Sequence, residues 1–448
     1  MSLTAVAFIL VYVILLCLSM IRGPMWGLYA YFLAFYQLPS NYWWGTELPD
    51  LRWSFVAAAV TFCSALLDRG TGPRTDGSST LALRPWYSTF PARCMIALCA
   101  WMWLELFWAI NVPQHMEGAA LYSKYVLLFA LLYMLVNTPR RMETLFWCHI
   151  VGCFVWGWIA YTTEVRGRLD IALSPEGADS NLIGYHMATG LAFAGFMFVQ
   201  LKGLKRWVVF AASPFILNAI ILTASRGATL GLLAAGVSSV LFAPRAKRFP
   251  VYAACLLAIP LMLRLAGNDI FWERMGTLTQ TDPQKMEGSA ASRIPIIEAN
   301  WRMFLDHPFG VGYRSNMFLS PQYMSDNLLT TAETGQRLRA AHNSFMASLV
   351  DYGVPGGLFM LGMVGWSFAR LVRMKCLDRR GLPSDLGAYR AALAAGLTAN
   401  LVTGQFINLQ KTETWFWMLA AVGCLDQMCT AHLRVADADS HDNKPGPS

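Results

Sequence analysis

Apolar runs long enough to cross a bilayer follow one another along nearly the whole chain. They cover residues 3–21, 25–38, 53–67, 93–110, 120–137, 145–162, 182–201, 207–224, 226–243, 250–266, 354–373, 386–404 and 413–430, with 25–38 and 53–67 short. A spanning helix needs about 20 mostly apolar residues, fewer where flanking side chains snorkel. The pattern predicts an all-α, polytopic integral membrane helical bundle of about 12 transmembrane helices, one of the short runs failing to cross. One interval breaks the rhythm, a long polar loop with helices of its own. The expected organisation is an N-terminal transmembrane bundle (1–266), the loop (267–341), C-terminal transmembrane helices (342–430) and a disordered polar tail (431–448).

Composition agrees with a lipid solvent. Hydrophobic residues make up 56% of the chain and charged residues 14%, whereas a soluble domain carries about 25% charged residues. The first run, Leu3 to Ile21, lacks a basic leader and a small-residue cleavage pattern, so it is expected to be a span rather than a cleaved signal. The net charge of +8 sits in short clusters between apolar runs, which argues for membrane topology and against nucleic-acid binding. Clusters such as Arg140/Arg141, Lys202/Lys205/Arg206, Arg245/Lys247/Arg248 and Arg373/Lys375/Arg379/Arg380 assign their connectors to the cytoplasm. The long loop then faces the other side, with both termini inside. The ten cysteines contain no CxxC pair, so neither a disulfide framework nor a thiolate metal site is expected.

Charge at membrane depth is expensive and tends to be functional. Glu105, Lys124, Arg226, Arg264 and Asp351 all fall near span ends on the side of the long loop, whose borders add Arg293, Arg337, Arg339 and His342. Arg226, in Thr223-Ala-Ser-Arg226-Gly-Ala, lies between two apolar runs with no acid in sequence reach. Either it snorkels at a tight hairpin or it meets an anion, and a guanidinium fork suits phosphate oxygens. His342 stands where loop meets bilayer, either capping a helix or taking a proton near neutral pH. Scattered acids in the loop do not make a metal site, and none is expected. Gly310-Val-Gly312 lacks the third glycine of a dinucleotide fingerprint and reads as a turn. Asp437 and Asp439 read as solvated tail charges.

Three stretches taken together resemble the O-antigen ligase superfamily. They are Thr223-Ala-Ser-Arg226-Gly-Ala, then Ser292-Arg293 with Asn300-Trp-Arg-Met-Phe-Leu-Asp-His-Pro-Phe-Gly-Val-Gly312, then His342-Asn-Ser-Phe with Tyr352-Gly-Val-Pro-Gly-Gly357. Their order and spacing match over roughly residues 180–410.

The resemblance implies a GT-C-type glycosyltransferase of the bacterial inner membrane with a periplasmic site. The reaction it implies is inverting, metal-independent and cofactor-free. A glycan would pass from undecaprenyl diphosphate-linked O-antigen to lipid A-core oligosaccharide, with membrane lipids as a further partner and no nucleic acid. By the same resemblance, Arg226 and Arg293 would clamp the donor diphosphate, Arg339 would join them, and His342 would be the general base on the acceptor hydroxyl. O-antigen polymerases and bacterial protein O-oligosaccharyltransferases share the superfamily and remain alternatives. A polymerase would favour a second cation cluster, for which Arg166/Arg168 are the candidates. A transporter is the reading from another class, disfavoured because no motif repeats between the two halves.

Overall fold

The computed structural model describes residues 1–67, 84–165, 167–265, 269–276, 293–331 and 335–442. Helices dominate it, and polar caps set many of their starts. Ser2, Thr89, Asn111, Thr138, Asp179, Ser225 and Asn343 each accept a first-turn amide through the side chain, satisfying donors that would otherwise be orphaned at a helix end. The N-terminal half runs α1 (Leu3–Arg22), α2 (Met25–Tyr36), α3 (Trp53–Leu67), α4 (Phe90–Glu105), α5 (Val112–Leu135) and α6 (Pro139–Thr162). Next come α7 (Ser180–Gln200), α8 (Gly203–Thr223), α9 (Arg226–Phe242), α10 (Arg248–Leu265) and α11 (Asp269–Gly276).

The C-terminal half contains α12 (Arg293–Asp306), α13 (Asn316–Tyr323), a short hairpin of β1 (Thr330–Thr331) and β2 (Arg337–Leu338), α14 (Ser344–Leu377), α15 (Ser384–Thr403) and α16 (Glu413–Asp442). The last turns of α16 run into the stretch expected to be a disordered tail, of which 443–448 lie outside the described residues. Arg166 and Ser292, used in the sequence reading, also lie outside them, as does the side chain of Arg264.

Among the described residues, six helices are long and apolar enough to cross a membrane: α1, α5, α6, α7, α8 and α14. The chain is therefore a multi-pass membrane protein. The helices α3 and α9 are apolar but shorter. With 12 residues, α2 rises about 18 Å, well short of a hydrocarbon core of about 30 Å. It is instead buried among its neighbours through Tyr31, Phe32, Phe35 and Tyr36.

The centre of the bundle is α15, which packs along α9, α7 and α16. Ala391, Ala392, Ala394, Ala395, Gly396 and Ala399 let those neighbours approach closely. A Cβ on Gly396 would stand 2.9 Å from Met418 Sδ, and one on Gly231 of α9 would stand 2.4 Å from Thr403 Oγ1. Near its start, α15 buries Arg390 completely. That guanidinium is bidentate to Asp378, with Nη2 at 2.8 Å from Oδ2, and Nη2 also donates to the Phe242 carbonyl at 2.9 Å.

The described residues of the polar loop that follow Arg293 are folded. Ile296, Ala299, Met303, Val311, Leu319, Met324 and Leu329 form a small core with Val350 of α14. The glycine turn after α12 docks into a break in α14. There Gly353 adopts φ 65°, ψ −154°, a conformation reserved for glycine. Val354 N donates to Pro308 O, and the Asp351 carbonyl accepts from the amides of Val311 and Gly312. The Asp351 carboxylate accepts from Arg314 N, Asn316 N and Asn316 Nδ2. The acid flagged at membrane depth thus fastens loop to helix. Glu105, also buried, lies under the same turn, where a Gly310 Cβ would come 2.2 Å from its Oε1. Lys124 is exposed.

Candidate functional site

The link between α8 and α9 is two residues long. Ala224 takes a left-handed conformation, φ 45° and ψ 34°, so the chain can reverse at once. Ser225 caps α9: its Oγ accepts from Ala228 N at 3.2 Å and donates to Asn181 Oδ1 at 2.8 Å. The sharp reversal brings Arg226 to the first turn of α9, where the residue is only 4% exposed. Two further arginines are fastened to the same reversal by their Nε atoms. Arg168 donates to Thr223 O and Arg274 to Ala224 O, each at 3.0 Å. Arg168 Nη2 also reaches Asn181 Oδ1 at 3.3 Å.

Across from this turn, Arg293 opens α12 and lays its guanidinium over the Phe406 ring, 4.3 Å from the centroid, a cation–π contact. Gly227 makes room for that ring, since a Cβ there would stand 2.9 Å from Phe406 Cβ. Arg339 is set by its backbone amide, which donates to Ser320 Oγ at 2.7 Å. Its Nε is buried with no hydrogen-bond partner among the described residues, and burial pulls the guanidinium below its ordinary pKa.

His342 holds a left-handed backbone, φ 47°, which costs a side-chain-bearing residue about 1–2 kcal/mol. Its neighbours enforce it. Ala341 N donates to Asn316 Oδ1 at 3.3 Å, Asn343 Nδ2 donates to Gln405 Oε1 at 3.0 Å, and Ser344 N donates to Gly404 O at 2.7 Å. The ring opens to a cavity but is surrounded by protein. Its pKa is lowered by that burial first, then by Arg339 and Arg293, against an upward pull from Asp179. A neutral imidazole results, competent to accept a proton.

All four candidates, Arg226, Arg293, Arg339 and His342, line one cavity of ≈400 Å³ between the loop and the bundle. Arg337 stays outside its lining, ion-paired at 3.8 Å to Asp326 on the exposed hairpin. Arg168 and Arg274 join the wall, although in sequence nothing distinguishes them from other connector bases. Arg168 was read as a candidate for a second cluster and instead belongs to this one. Five arginines stand against two aspartates, Asp170 and Asp179. The starts of α7 and α9 and the cap of α14 also border the space, adding the partial positive charge of helix N-termini. This arrangement suits an anion with several oxygens.

Residues 211–361 match the family model described as Wzy_C: O-Antigen ligase. The match supports the resemblance to the O-antigen ligase superfamily read from the motifs. The matched segment is about a third of the chain and carries Arg226, Arg293, Arg339 and His342, together with the glycine turn and the break in α14. Other cavity residues, among them Arg168, Asp170, Asp179, Gln405 and Phe406, lie outside it. No curated protein matches the chain. The family that this segment matches consists of glycosyltransferase-like enzymes, ligases and polymerases.

Proposed function

We propose that the protein is an O-antigen ligase that moves a glycan from undecaprenyl diphosphate to lipid A-core oligosaccharide at the periplasmic face of the inner membrane. The observation that carries this reading is the meeting of three arginines and a neutral-leaning histidine in one cavity at the loop–bundle junction. In the proposed topology about 12 helices cross, in a GT-C-type arrangement. The loop of 267–341 faces the periplasm, and 431–448 is the cytoplasmic tail.

Arg226, Arg293 and Arg339 bind the donor diphosphate and take up the charge that gathers on it as the C–O bond to the sugar breaks. His342 removes the proton of the acceptor hydroxyl as its oxygen attacks the opposite face of the anomeric carbon, so configuration inverts. The diphosphate leaves with the bonding electron pair. A good leaving group and a positioned base make a covalent sugar–enzyme intermediate unnecessary, and the proposed reaction needs no metal.

The test uses purified protein in nanodiscs, undecaprenyl diphosphate-linked oligosaccharide and EDTA, with lipid A-core added to one sample and no acceptor to another. Glycan on lipid A-core, lost in His342→Ala and strongly reduced in Arg226→Ala, is the expected result. Longer carrier-linked chains without acceptor would make the enzyme a polymerase. Full activity of His342→Ala would remove the base from the mechanism.

A further inference from the structure

The segment that follows α15 touches all three stretches that carry the candidate residues, yet it lies outside the matched span of 211–361. Just before it, at the end of α15, Thr403 Oγ1 donates to Gly227 O at 3.2 Å, beside Arg226. Gly404 O accepts from Ser344 N at 2.7 Å and Gln405 Oε1 from Asn343 Nδ2 at 3.0 Å, both beside His342. Ile407 O accepts from Ser344 Oγ at 2.9 Å. Between these ties stands Phe406, whose own amide donates to Thr403 O at 2.9 Å. Its backbone is therefore fixed on both sides, and its side chain has a set direction.

Phe406 meets both arms of the proposed clamp. Its ring carries the Arg293 guanidinium, 4.3 Å from the centroid. On the other side it lies so close to Gly227 that a Cβ there would stand 2.9 Å from Phe406 Cβ and 3.1 Å from Cδ2. Gly227 follows Arg226 directly, so the ring is wedged between the backbone of one arginine and the side chain of the other, and it lines the cavity with both. The choice of an aromatic anchor has a chemical consequence. Arg390, held by Asp378, is fixed and neutralised together. A ring fixes a guanidinium through its quadrupole and leaves the positive charge in place for a phosphate.

We propose that Phe406 is a positioning residue for the donor site: its ring holds the Arg293 guanidinium against the Arg226 turn, so that both cations meet one diphosphate. The inference rests on the reading of Arg226 and Arg293 as the clamp. Without the aromatic face Arg293 keeps its charge but samples a wider range of positions. The benefit of a charge already in place when the leaving group gathers its own then falls.

Phe406→Leu and Phe406→Met remove the ring and keep an apolar side chain, so one stands in if the other folds poorly. Phe406→Tyr restores the aromatic face. Transfer is measured in nanodiscs with carrier-linked oligosaccharide and lipid A-core. In the two non-aromatic variants kcat/KM for the donor falls roughly 3- to 30-fold, KM for lipid A-core does not rise, and Phe406→Tyr recovers most of the loss. A double-mutant cycle decides the cause. Once Arg293→Gln has removed the guanidinium the ring has nothing to hold, so adding Phe406→Leu costs no further activity. A Phe406→Leu loss of equal size in both backgrounds, or one that Phe406→Tyr does not recover, means that the ring only fills space and overturns the inference. Unchanged donor kcat/KM in Phe406→Leu and Phe406→Met overturns it too. If Arg293→Gln is impaired in those cases, the clamp reading survives and only Phe406 is misassigned. Full donor use by Arg293→Gln overturns both.

Discussion

Replacing Arg339 by methionine should make the protein more stable and a poorer enzyme. Its Nε is buried without a hydrogen-bond partner among the described residues, and an unsatisfied buried donor costs about 1–3 kcal/mol. The guanidinium also shares its cavity with Arg226, Arg293 and His342, so repulsion adds to that cost. Methionine has similar length and fills the same path without either penalty. Allowing for lost polar contacts, a net gain of about 1 kcal/mol is expected, or about 1–2 °C in Tm for a chain of this size. The same change removes a charge-assisted contact to the diphosphate. About 2–4 kcal/mol of transition-state stabilisation would go with it, a fall of roughly 30- to 1,000-fold in kcat/KM. Thermal melting in nanodiscs and single-turnover transfer from carrier-linked oligosaccharide read the two effects separately. A variant that melts lower yet transfers glycan at the normal rate would show that Arg339 holds the loop rather than the donor.

Three further outcomes follow from the structure. Arg390→Ala leaves Asp378 and the Phe242 carbonyl without their shared partner and should cost about 3–5 kcal/mol of stability, seen as early melting with donor KM unchanged in the surviving fraction. Gly353→Ala forces a side chain into φ 65° with its Cβ 2.3 Å from Pro308 O, so the loop should undock and residues 293–343 become open to proteolysis. Because the folded His342 is harder to protonate than the unfolded one, the unfolded chain takes up that proton first. Its share of stability is therefore complete above the ordinary imidazole range and lost as pH falls through it. Activity should likewise fall on the acid side only at a pH below that range, and Arg339→Met should move that limb upward.

Apolar periodicity was enough to read a helical membrane bundle, because burial in lipid demands it wherever a helix meets hydrocarbon. The cost of charge at membrane depth drew attention to Arg226 among several candidates, whereas Arg293, Arg339 and His342, in the loop and its borders, were singled out by the motif resemblance. Hydropathy was less informative about α15 and α16. Their surfaces face other helices rather than lipid, so small and polar residues are tolerated there, Arg390 among them. Asp351 shows the opposite error: its depth suggested chemistry, while its hydrogen bonds show a fastening between loop and helix.

The sequence by itself determined the solvent and the helical class, because both follow from the local cost of placing a side chain in lipid, and its motifs pointed to four candidate residues. Only the tertiary structure decided that those four share a cavity with Arg168, Arg274 and Asp179, which stand far from them along the chain. The Nε bonds of Arg168 and Arg274 end on backbone carbonyls of a turn 40 or more residues away in sequence. A backbone carbonyl carries no residue identity, so no pattern of side chains along the chain can announce which arginine will find it.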